Sequence, residues 1–186
     1  GTNDGAWGSN IQSVGVPVIL KARSNTVSFS NPSDWAPDID RVTVSGSGYV
    51  AVANRATGKY LDVSGASTAD LAKIVQNAGN GQVNQQWSLA DAGGGYFKLA
   101  NRNSGKVLNI PGPTTTQGTQ LIQFFDDGNA NSQWALTAIR GGSYDIVSRY
   151  DSQNVDVQQG SAADGTPVIQ FPNNGGANQQ WSFVGF

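Results

Sequence analysis

A motif that ends in tryptophan recurs three times in the chain at a constant interval. It reads Asn-Gln-Gln-Trp at residues 84–87, Asn-Ser-Gln-Trp at 131–134 and Asn-Gln-Gln-Trp at 178–181. Its tryptophans, Trp87, Trp134 and Trp181, are 47 residues apart in both cases. A fixed period of this length indicates a supersecondary unit whose copies share one core.

Other positions follow the same interval. Residues 61–63 (Leu-Asp-Val) align with 108–110 (Leu-Asn-Ile) and with 155–157 (Val-Asp-Val). Residues 74–76 align with 121–123 and 168–170, and each of these triplets ends in glutamine. Three units of 47 residues therefore fill the chain from about residue 46 to its end, and about 45 residues precede them.

The residue types that are missing exclude several kinds of chemistry. The chain has no cysteine and no histidine, so disulfides, thiol chemistry and histidine-activated nucleophiles are excluded. Its net charge of −2 provides no basic field for nucleic acid or an anionic membrane. No apolar run approaches the roughly 20 residues that a membrane-spanning helix needs. We therefore expect no nucleic-acid partner and no membrane partner.

Each repeat is predicted to contain four short strands. In the first repeat they fall near residues 49–53, 59–63, 73–76 and 86–89, with glycine-containing turns between them. No segment has sustained helical periodicity. Evenly spaced short strands favour a closed all-β architecture, because closure removes unpaired strand edges. Three such units indicate threefold pseudosymmetry.

The repeated motif, with Leu-Asp-Val about 25 residues before its first copy, resembles the ricin-type β-trefoil lectins, also called family 13 carbohydrate-binding modules. The resemblance covers about 140 of the 186 residues and rests on three copies in register. It implies an all-β trefoil over residues 46–186. The three tryptophans and their apolar neighbours are interpreted as core residues that specify this fold and do not contact a ligand.

The resemblance also implies a sugar site in each repeat, built from an aspartate, an aromatic ring, an asparagine and the first glutamine of Gln-x-Trp. Such a set suits a neutral sugar, because hydroxyls need carboxylate and amide partners and the C–H face needs a flat ring. The third repeat keeps all four residues: Asp156, Phe171, Asn178 and Gln179. The alternative is that Asp156 and Gln179 only hydrogen-bond to each other and close a turn.

The other two repeats depart from this pattern. The first repeat keeps Asp62, Asn84 and Gln85, but Asn77 stands at the aromatic position and Tyr60 is the ring that could compensate. In the second repeat Asn109 replaces the aspartate and Ser132 replaces the glutamine, while Phe124 and Asn131 remain. We expect the second repeat to be structural.

The first 45 residues resemble the last strands of a family 35 carbohydrate-binding module, a β-sandwich (jelly roll), on residues 18–27 and 31–44. The expected domains are therefore an incomplete β-sandwich at 1–45 and the trefoil at 46–186, joined by Ser-Gly-Ser-Gly at 45–48. The resemblance implies that the remainder of the module exists as a separate fragment or as the upstream part of the same gene product, which is then a partner of this chain. It also implies a structural calcium ion near Asp40, although Asp40 could instead pair with Arg41.

These features predict a non-catalytic, secreted module that targets a glycoside hydrolase to galactose-containing or other plant polysaccharides. An enzyme is the second hypothesis, with Asp126 and Asp127, or Asp38 and Asp40, as the carboxylate pairs that glycoside hydrolysis requires. The third is a trefoil that binds or inhibits a protein and has no sugar affinity. Loss of ligand binding in Asp156→Ala would separate the lectin hypothesis from the third.

Overall fold

The computed structural model describes residues 48–112 and 114–185. The expected β-sandwich strands of residues 1–45 and the calcium ligand Asp40 lie outside the described residues. The domain boundary at 45–48 and the calcium ion therefore stay predictions.

Twelve strands form one continuous antiparallel sheet over the described residues. The first repeat contributes β1 (Val50–Asn54), β2 (Tyr60–Val63), β3 (Ile74–Asn77) and β4 (Trp87–Gly93). The second contributes β5 (Tyr96–Asn101), β6 (Val107–Asn109), β7 (Ile122–Phe124) and β8 (Trp134–Ile139). The third contributes β9 (Ser143–Ser148), β10 (Asn154–Val157), β11 (Thr166–Phe171) and β12 (Gln180–Gly185).

The helical segments of the described chain are five single 3-10 turns. They span Ser64–Ala66, Val83–Gln85, Ala130–Ser132, Gln158–Gly160 and Ala177–Gln179. The four strands expected in the first repeat are present, but β4 extends four residues beyond the expected end at residue 89. This extension pairs with β5 in a long hairpin that turns at Gly94 and Gly95.

The first and fourth strands of the repeats close into a six-stranded barrel. Its order is β1–β12–β9–β8–β5–β4, and β4 returns to β1 through the pair Val50 and Trp87. The second and third strands form three hairpins, β2–β3, β6–β7 and β10–β11. Contacts between neighbouring hairpins join them over one end of the barrel. This arrangement is a β-trefoil, as the resemblance implies, and it has the threefold pseudosymmetry that the 47-residue period predicts.

The three tryptophans occupy equivalent places in the shared core. Trp87, Trp134 and Trp181 are each 0% exposed. Their ring nitrogens donate hydrogen bonds of 2.9, 3.1 and 2.9 Å to the carbonyl oxygens of Leu61, Leu108 and Val155, respectively. Each bond satisfies a polar group that would otherwise be buried without a partner. Their assignment as core residues is confirmed.

A buried glutamine in the third strand of each repeat binds the loop of the preceding repeat. Gln123 donates through Nε2 to the carbonyl oxygens of Ser67 (2.9 Å) and Ala69 (2.8 Å). Gln170 contacts the carbonyls of Thr114 and Thr116 in the same way, and Gln76 closes the ring with those of Ser161 and Ala163. These bonds hold each loop beside the hairpin of the next repeat.

Candidate functional site

Each repeat brings a strand residue and a 3-10 turn together. Asp62, Asn109 and Asp156 lie at the same position of β2, β6 and β10, between two buried apolar residues. The turn before each tryptophan strand presents two consecutive polar side chains to this position. We call the resulting groups the first site (Asp62, Asn84, Gln85), the second site (Asn109, Phe124, Asn131) and the third site (Asp156, Phe171, Asn178, Gln179).

The third site brings together the polar residues predicted for it. Gln179 and Asn178 both donate to Oδ2 of Asp156, over 2.8 and 3.0 Å. Asn178 also contacts the carbonyl oxygen of Val157 at 3.2 Å, and Gln179 contacts that of Pro172 at 2.9 Å. The glutamine is further fixed because its Oε1 accepts from the backbone of Asn174 at 2.8 Å.

The carboxylate of the third site has one uncommitted oxygen. No described residue donates to Oδ1 of Asp156, since both amides bind Oδ2. Asp156, Phe171 and Asn178 line a cavity of about 560 Å³. The half-buried ring of Phe171 lies in the next strand of the same hairpin, cross-strand from Asn154. A carboxylate oxygen, the amide oxygen of Asn178 and a ring face are thus available to one ligand, while the NH₂ group of Asn178 is used within the protein.

In the first site, both carboxylate oxygens of the aspartate accept hydrogen bonds from the protein, whereas in the third site only one does. Asn84 donates to Oδ1 of Asp62 at 3.0 Å and Gln85 donates to Oδ2 at 2.8 Å. The Asn77 side chain lies near the same carboxyl group and favours its ionised form. A ligand hydroxyl must therefore share these carboxylate oxygens with internal donors.

The aromatic position of the first site is occupied differently from that of the third. Asn77 accepts a 2.8 Å bond at Oδ1 from the backbone of Gly165, so its amide holds the neighbouring repeat. Tyr60 lies cross-strand from Asn77, and its ring packs over Gly79, where a Cβ would come within 2.6 Å of the ring. Tyr60 is therefore adjacent to the site, and a role in stacking stays a prediction.

The second site has the substitutions expected to weaken it. Asn131 donates to Oδ1 of Asn109 at 3.3 Å and to the carbonyl oxygen of Ile110 at 2.9 Å. The hydroxyl of Ser132 donates instead to the carbonyl oxygen of Asn129 at 2.9 Å, so nothing replaces the glutamine of the other sites. Asn109, Phe124 and Asn131 nevertheless line a cavity of about 520 Å³.

Burial is the largest influence on the pKa values of Asp62 and Asp156. It raises the pKa of Asp62, and hydrogen bonds from Gln85, Asn77 and Asn84 act in the opposite direction. Burial likewise raises the pKa of Asp156, against the bonds from Gln179 and Asn178. Both carboxyl groups thus protonate at a higher pH than an exposed aspartate.

Several cavity residues come from outside the predicted sets. Gln158 and Gln159 line the third cavity together with Gly118 of the second repeat. Leu71 of the first repeat and Tyr150 of the third line the second cavity. Alignment of the repeats offers one signal for Leu71 and Gln159, because both stand where the other two repeats have glycine.

Of the two carboxylate pairs predicted for an enzyme, only Asp126 and Asp127 lie among the described residues. Asp126 binds Lys98 at 2.7 Å, and Asp127 caps a turn by accepting from the backbone of Asn129 at 3.0 Å, so both carboxylates have structural roles. Within the described part of the chain, no group of three acidic, histidine or cysteine residues could hold a metal ion. Nor does any helix there have the length and apolarity needed to cross a membrane.

The fold and these three sites define a lectin-like trefoil. A family model described as "Ricin-type beta-trefoil lectin domain-like" matches residues 35–124 and 84–171. The chain therefore belongs to the ricin-type β-trefoil lectin domain-like family. The resemblance to ricin-type lectins is thereby confirmed.

Comparison with solved structures supports this assignment. A designed threefold-symmetric protein, ThreeFoil, is 42% identical with a TM-score of 0.74, over 75% of this chain and 100% of its own. An exo-β-1,3-galactanase from Clostridium thermocellum is 37% identical with a TM-score of 0.74, over 77% of this chain. The matched region is only 31% of the galactanase chain.

A third structure shares the fold at lower identity. The ricin B-like lectin of Macrolepiota procera, solved with lactose, is 24% identical with a TM-score of 0.66, over 78% of this chain and 100% of its own. A search of curated proteins found no match to this chain.

Proposed function

We propose that this chain binds carbohydrate without catalysis, through the third site and more weakly through the first. The uncommitted Oδ1 of Asp156, in a cavity shared with Phe171 and Asn178, is the observation that carries this proposal. That oxygen accepts a ligand hydroxyl, and the amide oxygen of Asn178 offers a second acceptor because its NH₂ group is bound within the protein. Phe171 supplies a flat apolar surface for the C–H face of a sugar ring.

We further propose that the module serves a secreted glycoside hydrolase that acts on galactose-containing or other plant polysaccharides. The similarity to part of an exo-β-1,3-galactanase supports this context, and the lactose complex of the Macrolepiota procera lectin supports a galactose-type ligand. Two sites on one rigid trefoil gain avidity for a polymer when their spacing suits it. Such a module suits the capture of a polysaccharide better than that of a monosaccharide.

Calorimetric titration with galactose, lactose, arabinose, xylose and their oligomers tests the proposal. We expect saturable binding to one sugar class that weakens in Asp156→Asn and persists in Asp91→Asn, a matched change of an exposed aspartate. Unchanged binding in Asp156→Asn would show that the sugar binds at a place other than the third site. Absence of binding to every sugar by folded protein would favour the protein-binding scaffold.

A further inference from the structure

Two asparagines of the chain are followed directly by glycine, and one of them lies at the third site. The pairs are Asn80-Gly81 and Asn174-Gly175. Both pairs are exposed, and Asn174 lines the third cavity. Asparagine is chemically labile, and glycine has no Cβ to hinder its backbone nitrogen. Each pair therefore permits attack of the glycine nitrogen on the preceding side-chain amide.

Hydrogen bonds in the turn of the third repeat act on both groups that would react. The Oδ1 of Asn174 accepts from the backbone nitrogen of Gly176 at 2.8 Å, which polarises the amide and makes its carbon more electrophilic. The backbone nitrogen of Gly175 donates to Oδ1 of Asn173 at 2.9 Å, which draws the proton away from that nitrogen. The pair thus presents a polarised amide next to an unhindered nitrogen.

The second repeat carries the aspartate that such a reaction would produce. Asp127 stands where the other repeats have Asn80 and Asn174, and glycine follows it as well. All three side chains accept from the backbone nitrogen two residues further on, at 2.9 Å for Asn80, 3.0 Å for Asp127 and 2.8 Å for Asn174. The turn holds an amide or a carboxylate equally well, so formation of aspartate by itself leaves the fold intact.

The backbone of Asn174 supports the third site. Its nitrogen donates to Oε1 of Gln179 at 2.8 Å, and Gln179 in turn donates to Oδ2 of Asp156. The side-chain oxygens of Asn174 and Asn178 converge on Gly176, where a Cβ would lie 2.8 and 2.4 Å from them. A change in the backbone at residue 174 is therefore transmitted to the carboxylate and the amide that face the ligand.

We propose that Asn174 is a site of spontaneous deamidation and that its isoaspartate product inactivates the third site. The nitrogen of Gly175 forms a bond to Cγ of Asn174, and its proton passes through solvent to Nδ2. The Cγ–Nδ2 bond breaks and Nδ2 leaves as ammonia, which gives a cyclic imide. Water then opens the imide, at Cγ to give aspartate or at the backbone carbonyl to give isoaspartate. One water molecule is consumed for each ammonia released.

The two products differ in their effect on the backbone. Aspartate keeps the main chain as it is in the second repeat, whereas isoaspartate runs the main chain through the former side chain and lengthens it by one carbon atom. The group that accepts from Gly176 then becomes part of the main chain, so the turn is lost. We expect Gln179 to lose its anchor and Asp156 its orientation. This inference rests on the proposed function and adds to it a slow, irreversible loss of binding.

Ageing of the full chain in warm, mildly alkaline buffer tests the proposal, because base removes the proton of the attacking nitrogen. Peptide mapping with an isoaspartate-specific methyltransferase measures the modification of each asparagine independently of sugar binding. We expect isoaspartate at residues 80 and 174, and none at Asn178, which glutamine follows. Calorimetry with the sugar that fresh protein binds measures the third site. We expect its binding stoichiometry to fall in proportion to the isoaspartate fraction at residue 174.

Three variants separate the causes of this loss. Serine can accept the same backbone hydrogen bond but has no amide to lose, so Asn174→Ser should keep third-site binding during ageing. Asn80→Ser is the matched change in the first repeat, and it should lose third-site binding at the wild-type rate. Fresh Asn174→Asp should bind as fresh wild type does, because aspartate preserves the turn. Loss of binding in fresh Asn174→Asp would assign the inactivation to the new charge and overturn the role of isoaspartate.

The outcomes separate this inference from the proposed function. An amide that persists at residue 174 after ageing, or full binding despite isoaspartate there, would overturn the inference and leave the proposed function intact. Equal loss of binding in aged Asn174→Ser would also overturn it. Fresh, folded protein that binds no sugar would overturn the proposed function. In that case the NMR signals of the Gln179 side-chain amide still test the inference, and unchanged signals in the isoaspartate form would overturn it too.

Discussion

Gln179 Nε2 lies 2.8 Å from Oδ2 of Asp156, and both side chains are almost fully buried. One alternative from the sequence is that the two residues only close a turn. That alternative explains the bond between Gln179 and Asp156. It does not account for Oδ1, which receives no hydrogen bond from a described residue. The pair both stabilises the hairpin and orients the free oxygen, and substitutions can separate these two roles.

We predict that the free energy of unfolding of Asp156→Asn lies within about 0.5 kcal/mol of that of the wild type. The new amide oxygen can accept from both Asn178 and Gln179, and the new NH₂ group can take the place of Oδ1. Sugar affinity at the third site should fall about tenfold or more, since a charged acceptor becomes a donor. Urea unfolding and calorimetric titration measure the two quantities. Equal loss of stability and affinity would indicate a purely structural role.

The matching change in the first repeat should behave differently. In Asp62→Asn the new NH₂ must face either Asn84 or Gln85, both of which are donors. We predict that this variant is destabilised by about 1–3 kcal/mol, the usual cost of an unsatisfied buried polar group. Urea unfolding of the two asparagine variants side by side measures the difference. Equal stabilities would mean that the first site rearranges freely.

Much of this architecture could be predicted from the 47-residue period, because the repeated Trp87, Trp134 and Trp181 require one shared core. The composition of the third site could also be predicted, since its four residues lie within one repeat. The contribution of Leu71 could not, because it reaches the second site from the preceding repeat through the bond of its loop to Gln123. Nor could sequence show that Asn178 and Gln179 share one oxygen of Asp156, which depends on the side-chain rotamers.

Acidification should weaken sugar binding before it unfolds the protein. Burial raises the pKa of Asp156 above its ordinary value of 3.8, so the carboxylate that accepts a sugar hydroxyl is lost at a higher pH than for an exposed aspartate. A raised folded-state pKa means that protonation of Asp62 and Asp156 favours the folded state, so their contribution to stability falls as pH rises through those values. We predict markedly lower affinity at about pH 4 than at pH 7.

Calorimetry at both pH values measures this affinity, and far-UV circular dichroism reports whether the protein remains folded. The exposed aspartates that bind lysine act in the opposite sense. Lys98 lowers the pKa of Asp126, so the stabilisation from that pair is lost as pH falls through the lowered value. Affinity that stays constant down to about pH 4 would show that the ionised form of Asp156 is not needed.

Removal of one tryptophan indole should test the separation of core from site. Trp181→Phe leaves a void in the core and an unpaired carbonyl oxygen at Val155, which the indole nitrogen binds at 2.9 Å. We predict a loss of about 2–4 kcal/mol in the free energy of unfolding, from lost packing and the unsatisfied acceptor together. Val184→Ala at an exposed position should change stability by less than about 0.5 kcal/mol.

Below its lowered melting temperature, Trp181→Phe should bind sugar with wild-type affinity, because the indole is fully buried beneath the third site. Thermal unfolding and calorimetry of the same sample measure both effects, and a selective loss of affinity in a stable variant would place the indole in the binding site.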